Sequence, residues 1–163
     1  MQKKILDPWQ RGRGFSIAAL AVTSMVSLAS CSVFAMSEED AGKQYMAIVC
    51  PSNATVDGYN AAPETGDLSQ IQSAAKTMAE AYRESAKALS STDTHWPDAV
   101  AAADLQTLAN SYLTDLAVIN TITSATTVNE AHPIWPNDPA VGEASQRVRL
   151  ALDLPSDTSL GCE

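Results

Sequence analysis

Residues 67–89, DLSQIQSAAKTMAEAYRESAKAL, decide the fold. Leu68, Ile71, Ala75, Met78, Tyr82, Ser85 and Leu89 recur at alternating intervals of three and four through three heptads, the period of an α-helix that buries one stripe. Asp67 stands where a helix N-cap is needed. Lys76, Glu80, Arg83, Glu84 and Lys87 fall largely off the stripe and read as a solvated face.

The neighbouring segments carry the same period. Upstream, Ser37-Glu38-Glu39-Asp40 reads as a helix start, with a Ser cap and acidic residues beside the positive end of the helix dipole. Tyr45, Val49, Ser52, Val56 and Tyr59 then mark one face that continues across Pro51. Proline removes a backbone donor and crowds the preceding turn, so a kink is expected there, or one helix ending near Cys50 and another opening at Pro51. Residues 61–66, AAPETG, form a turn-prone connection. Downstream, a third helix is expected from about Pro97 to Ser124, with Leu105, Leu108, Tyr112, Leu116, Ile119 and Ile122 inward and Pro97 in its first turn. The β-branched run Thr121–Thr127 leaves a short strand open at its end. After HPIWPNDP, Asp138 caps and Pro139 opens a fourth helix that turns Val141, Ala144, Val148, Ala151 and Leu152 to the core.

Twenty-seven alanines, against seven glycines and nine aromatic residues in 163, favour closely approaching helices over a sheet sandwich. The expected fold is all-α: a four-helix up-and-down bundle with a kinked first helix. Its start, its 2–3 loop and its tail would share one end, so the tail must climb along helix 1.

Charge divides the chain at residue 31. Before it, Lys3, Lys4, Arg11 and Arg13 stand against Asp7, a net of +3; from Cys31 onward six Lys and Arg face eighteen Asp and Glu, a net of −12. So acidic a body is repelled by phosphate backbones and anionic headgroups, which argues against a nucleic-acid partner.

From Gly14 to Ser37 there is no charged side chain, and Phe15–Leu28 (FSIAALAVTSMVSL) follows the basic segment as the apolar core of a secretory signal does. Read by length alone, Gly14–Ser37 also admits an uncleaved anchor. The tetrapeptide Leu28-Ala29-Ser30-Cys31, directly after the apolar core, resembles the lipobox of bacterial lipoproteins. That resemblance implies cleavage before Cys31, a thioether-linked diacylglycerol on its sulfur and an acylated amino terminus. The domains expected are therefore a cleaved signal peptide over 1–30, a short lipid-anchored tether over 31–37 and a helical bundle over 38–163. Ser32–Met36 span about 17 Å when extended, so the bundle stays near the bilayer.

Three cysteines in an exported chain leave an odd one. With Cys31 taken by lipid, Cys50 and Cys162 remain to form a disulfide in an oxidising compartment, or to persist as two structural thiols. Closing a loop of about 110 residues stabilises by up to about 4–5 kcal/mol in the chain-entropy account. No spacing typical of a zinc site accompanies these cysteines.

Ser73-Ala74-Ala75-Lys76 matches the S-x-x-K core of penicillin-recognising enzymes, but Ser73 lies about two turns inside its helix and Lys76-Thr77-Met78 is not K-T-G. Asn53-Ala54-Thr55 fits a glycosylation sequon by chance. Two loops share an order of residues: His95-Trp96-Pro97-Asp98-Ala99-Val100, and His132, Trp135, Pro136, Asp138, Ala140 and Val141. Trp96 and Trp135 are expected as hydrophobic staples over bundle ends, with surface contact by each Trp and its neighbouring His95 or His132 as the functional alternative. Beyond the lipobox, the segment Tyr45, Ile48, Val49, Cys50, Pro51, the Trp96-Pro97 step, and Leu154-Pro155 followed by Cys162 resemble small Ala-rich helical lipoproteins of actinobacteria. These are mostly uncharacterised, so the likeness implies no activity.

With no paired acid and base, activated nucleophile or ligand cluster in view, no catalytic residue, metal or cofactor is assigned. The expectation is a lipid-anchored extracytoplasmic lipoprotein at the cell envelope, a non-enzymatic binding or accessory module with the membrane and an envelope protein as partners. A carrier of a lipid or small hydrophobic ligand is the alternative, and an enzyme stands third.

Overall fold

The computed structural model describes residues 35–158 together with Leu160 and Cys162. The lipobox-like stretch Leu28–Cys31, with the signal peptide and the tether expected up to residue 34, lies outside the described residues. Among the described residues four α-helices form: α1 (Glu38–Ala61), α2 (Leu68–Leu89), α3 (Ala102–Thr123) and α4 (Pro139–Ala151), with a 3-10 turn, Ala62–Thr65, between α1 and α2. Gly66 closes that turn at φ +66°, a left-handed conformation open to glycine. Among the described residues there is no strand, and α3 runs through the β-branched segment to Thr123.

The caps at Ser37, Asp67 and Asp138 form as their side-chain chemistry requires. Ser37 Oγ accepts from the Asp40 amide at 3.1 Å, Asp67 Oδ1 from Ser69 at 2.8 Å, and Asp138 Oδ1 from Ala140 at 2.9 Å. The third helix differs from expectation. It begins at Ala102, not near Pro97, and its cap residue Ala101 offers no side-chain bond. Residues 97–100 instead make a tight turn, Val100 N–H donating to Pro97 C=O at 2.9 Å, which buries Pro97 and Val100. Burying those side chains over the end of the core outweighs five more residues of helix.

α1 passes through Pro51 as one helix of 24 residues. Next to the proline, the core contains a chain of hydroxyls. Ser85 of α2 donates to the Ile48 carbonyl at 2.7 Å, and Ser52 lies 2.8 Å from Ser85. The Tyr112 phenol of α3 stands beside Ser52. With one proton per hydroxyl, Ser85 gives its own to the carbonyl and Ser52 donates to Ser85, which ties α1 to α2 in the turn that contains the proline.

Two apolar clusters flank this node. One joins Tyr45, Ile48 and Val49 of α1 to Leu105 and Leu108 of α3 and to Ala144, Val148 and Leu152 of α4, with Trp96 against it. The other joins Tyr59 to Ile71, Met78 and Tyr82 of α2 and Ile119 and Ile122 of α3, with Trp135 against it. α4 belongs to the first cluster only: at 13 residues it is about 20 Å long, against about 33 Å for the 22 residues of α3.

Arg149 of α4 is 1% exposed, whereas its neighbour Leu150 is 71% exposed. The guanidinium donates to the carbonyls of Pro155, Asp157 (2.9 Å) and Leu160 (3.2 Å) and approaches Met46 Sδ at 3.8 Å. Gln146 Nε2 adds a bond to the Ser156 carbonyl at 2.9 Å. The tail is thereby folded back from Leu154, which meets Gly42, to the Cys50–Cys162 disulfide, whose Cα atoms are 5.2 Å apart. Arg149→Met is expected to cost about 2–4 kcal/mol, because three carbonyls lose a charged donor. Amide exchange should quicken across residues 155–160 with the disulfide intact; exchange unchanged there would contradict the clasp.

Candidate functional site

The apolar stripe of α3 faces the core, and a second, polar lane runs beside it: Thr107, Asn110, Ser111, Thr114 and Asp115, spaced three and one, so that they stack on one flank. α4 starts too late to cover that flank. In its place the segment Pro136-Asn137-Asp138-Pro139 crosses over, and with Val141 and Gly142 it walls a surface groove of about 530 Å³ floored by the polar lane. Asp104, a buried carboxylate one turn before Thr107 on α3, takes a bidentate fork from Arg147 of α4 at 2.8–3.2 Å and ties the two helices together. That fork keeps the Asp104 carboxyl below the usual carboxylate range.

Two groove residues are locally unfavourable. Asp115 is half-buried, and among the described residues no hydrogen-bond donor reaches its carboxylate. Burial pushes its carboxyl above the ordinary value, and its charge adds to the burial that lifts the Tyr112 phenol and takes Tyr82 to about 12. Those two rings pack edge to face at 4.9 Å behind it. Gly142 is the second: a Cβ there would meet nothing within 4 Å, so neither crowding nor a left-handed backbone demands glycine in α4. Rules of local stability are broken most often where a surface is used.

Several lining groups are already engaged. Ser111 and Thr107 hydroxyls return to the Leu108 and Ala103 carbonyls, and Asn110 Oδ1 accepts from Gln106. Beyond the wall, Ile134 is 96% exposed between Pro133 and Trp135. Its loop is fixed by Trp135 set edge-on to Tyr59 at 6.0 Å and by the Tyr59 hydroxyl donating to Ala131 C=O at 2.8 Å.

The residues singled out in the sequence are placed as follows. Trp96 and Trp135 are half-buried against different clusters and are not brought together. The Trp96 indole N–H is buried without an acceptor among the described residues. His95 and His132 are exposed; the His95 carbonyl accepts from Met36 N–H at 2.8 Å, and its ring nitrogen Nδ1 is 3.0 Å from the Asp93 carbonyl. Ser73 and Lys76 lie exposed in the interior of α2. Asn53 is exposed, its amide 3.9 Å from Cys162 Sγ. Cys50 and Cys162 are joined. Among the described residues no group of three His, Cys, Asp or Glu is disposed to hold a metal, and no helix is long and apolar enough to cross a membrane.

The groove was not identified from the sequence. Its polar lane reads as an ordinary solvated face of α3, and only the short length of α4 turns that face into a concavity. A trace is present in Gly142, a glycine inside a helix with nothing to require it.

Two substitutions probe the local cost. The folded Asp115 carboxyl holds its proton to higher pH than the unfolded one, whose value is about 3.9, so folding stability falls as pH rises through the raised value. Asp115→Asn should raise Tm at pH 7, with a gain that shrinks towards pH 4; a gain independent of pH would contradict this. Gly142→Ala should add about 0.5–1 kcal/mol in denaturant melts.

No family model, curated protein or solved structure matches the chain.

Proposed function

We propose that this protein is a lipid-anchored, extracytoplasmic lipoprotein of the cell envelope, a non-enzymatic binding or accessory module that offers the α3–α4 groove to an envelope component. The observation that carries the binding role is that groove, where a polar concavity of about 530 Å³ coincides with two residues, Asp115 and Gly142, that reduce local stability. The lipid anchor rests on Leu28-Ala29-Ser30-Cys31 behind an apolar core. Two or three acyl chains hold durably, since each buried methylene adds about 0.8 kcal/mol. A tether of five residues, Ser32–Met36, keeps the first turn of α1 within about 17 Å of Cys31.

The same reading takes the four helices as an up-and-down bundle with α1 bent at Pro51, supported by the packing of each helix on the next in sequence. Leu152 lies against Gly42 in the first turns of α1, and the groove begins about 15 Å along α4 from it, ten residues at 1.5 Å. The groove therefore stands clear of the tethered end.

A carrier of a small hydrophobic ligand is the second reading. It draws on an open hollow of about 630 Å³ lined by Gly42, Met46, Leu152 and Leu154, but Glu38, Glu39 and Lys43 share that lining and make a poor seat for an acyl chain.

Intact mass spectrometry of the native protein is expected to show an amino terminus at Cys31 carrying diacylglycerol. Cys31→Ala should leave the membrane fraction and lose any envelope phenotype of the gene. An unmodified thiol with an intact leader, or full function from the released form, would overturn the proposal.

A further inference from the structure

Resting on the reading of the α3–α4 groove as a binding surface, we propose that its occupant is an extended peptide segment bearing a lysine or arginine side chain, presented by an envelope protein. The charge of the lining is the first reason. Asp115 and Asp138 bring two carboxylates, Asn110 and Asn137 two amides, and Thr107, Ser111 and Thr114 three hydroxyls, with no cationic residue among the lining. The two arginines of α4 are committed elsewhere, Arg147 to Asp104 and Glu143, and Arg149 to the tail carbonyls. An anionic lipid or phosphate would meet repulsion from both carboxylates.

Asp115 supplies the second reason. A half-buried carboxylate that no donor of the described residues reaches is a site at which an arriving ammonium or guanidinium forms a charge-assisted bond. Asp138 gives Oδ1 to the Ala140 amide as the α4 cap and also lines the groove.

Shape and surroundings separate a peptide from other cationic or polar ligands. From Thr107 to Asp115 the floor runs eight residues of helix, about 12 Å, the length of three or four residues of extended chain at about 3.3 Å each. Pro136, Pro139 and Val141 give one apolar wall, and Ile134 stands 96% exposed beyond it, suited to the uncharged side chains of such a segment. A sugar ring needs an aromatic face on which to stack, and Trp135 is turned edge-on to Tyr59 and does not line the groove. A metal ion needs a third ligand, and none of the described residues completes such a set.

The test is an amide NMR titration of the mature, lipidated protein in neutral detergent micelles. The probes are the capped tetrapeptide acetyl-Ala-Lys-Ala-Ala-amide and its norleucine analogue, which keeps the side-chain length without the charge. At up to about 5 mM, the lysine peptide should shift Asn110, Thr114, Asp115 and Gly142 saturably, with the analogue weaker by about tenfold. Asp115→Asn with Asp138→Asn, which keeps the helix cap, should weaken the lysine peptide by about tenfold or more. Gly142→Leu, which extends a side chain into open space, should abolish the shifts while leaving the fold intact. Equal binding of the norleucine analogue overturns the proposal. So do shifts spread over Glu38–Asp40 and other acidic surface, shifts unaffected by these variants, no shift at all, or a chito-oligosaccharide moving the same amides when the lysine peptide does not. Each of those results leaves the lipid-anchored reading standing, because that is decided by the modification of Cys31.

Discussion

A guanidinium enclosed by protein must have its N–H donors met from within, because water is not there to meet them and an unmet buried charge costs several kcal/mol. Arg149 is in that position, and the acceptors it takes are main-chain carbonyls of the tail. The clasp orders a polar segment that would otherwise fray, and it turns that segment back along α1 so that Cys162 reaches Cys50. The crosslink joins residues separated by 112 positions, with the tail in the conformation that the arginine holds. Tail, α4 and α1 are thus one mechanical unit, and α4 is held at the height from which its first turn and the preceding loop wall the groove.

The hydroxyl chain at Pro51 works on the other side of the core in the same way. A proline inside a packed helix takes one donor from the main-chain ladder, and in the same turn Ser85 of α2 adds a bond to the Ile48 carbonyl while Ser52 lies within bonding distance of Ser85. Because hydroxyls bond only over short distances and at favourable angles, this pair sets the register of α1 against α2 more narrowly than alanine and leucine contacts do. The apolar clusters on either side supply the bulk of the burial.

Against this well-satisfied interior, the groove is an exception. Among the described residues no donor reaches its half-buried carboxylate, which lies on the flank of α3 that α4 leaves uncovered, and its wall includes, near the start of α4, a glycine that nothing constrains. The length of α4 is set by Pro139 at its start and by the turn after Ala151 at its end, so the concavity follows from two local signals acting on a packed neighbour.

How much of this was legible in advance varies by element. The stripe through Leu68, Ile71, Ala75, Met78, Tyr82, Ser85 and Leu89 and the caps at Ser37, Asp67 and Asp138 were readable because periodicity and capping are local. The pairing of Cys50 with Cys162 was readable as one of two options, by arithmetic on three cysteines. The start of α3 was misplaced by five residues, since the demand to bury Val100 comes from a core that the local sequence does not display. By itself, then, the amino-acid sequence determined that the chain is helical, where three of its four helices begin, and which faces turn inward. That Arg149 is buried while Leu150 is exposed, that a plain polar face of α3 becomes a groove, and that Ser85 bonds a carbonyl of α1 were settled only by packing, because each depends on what lies opposite, and side chains far apart in sequence meet only in the fold.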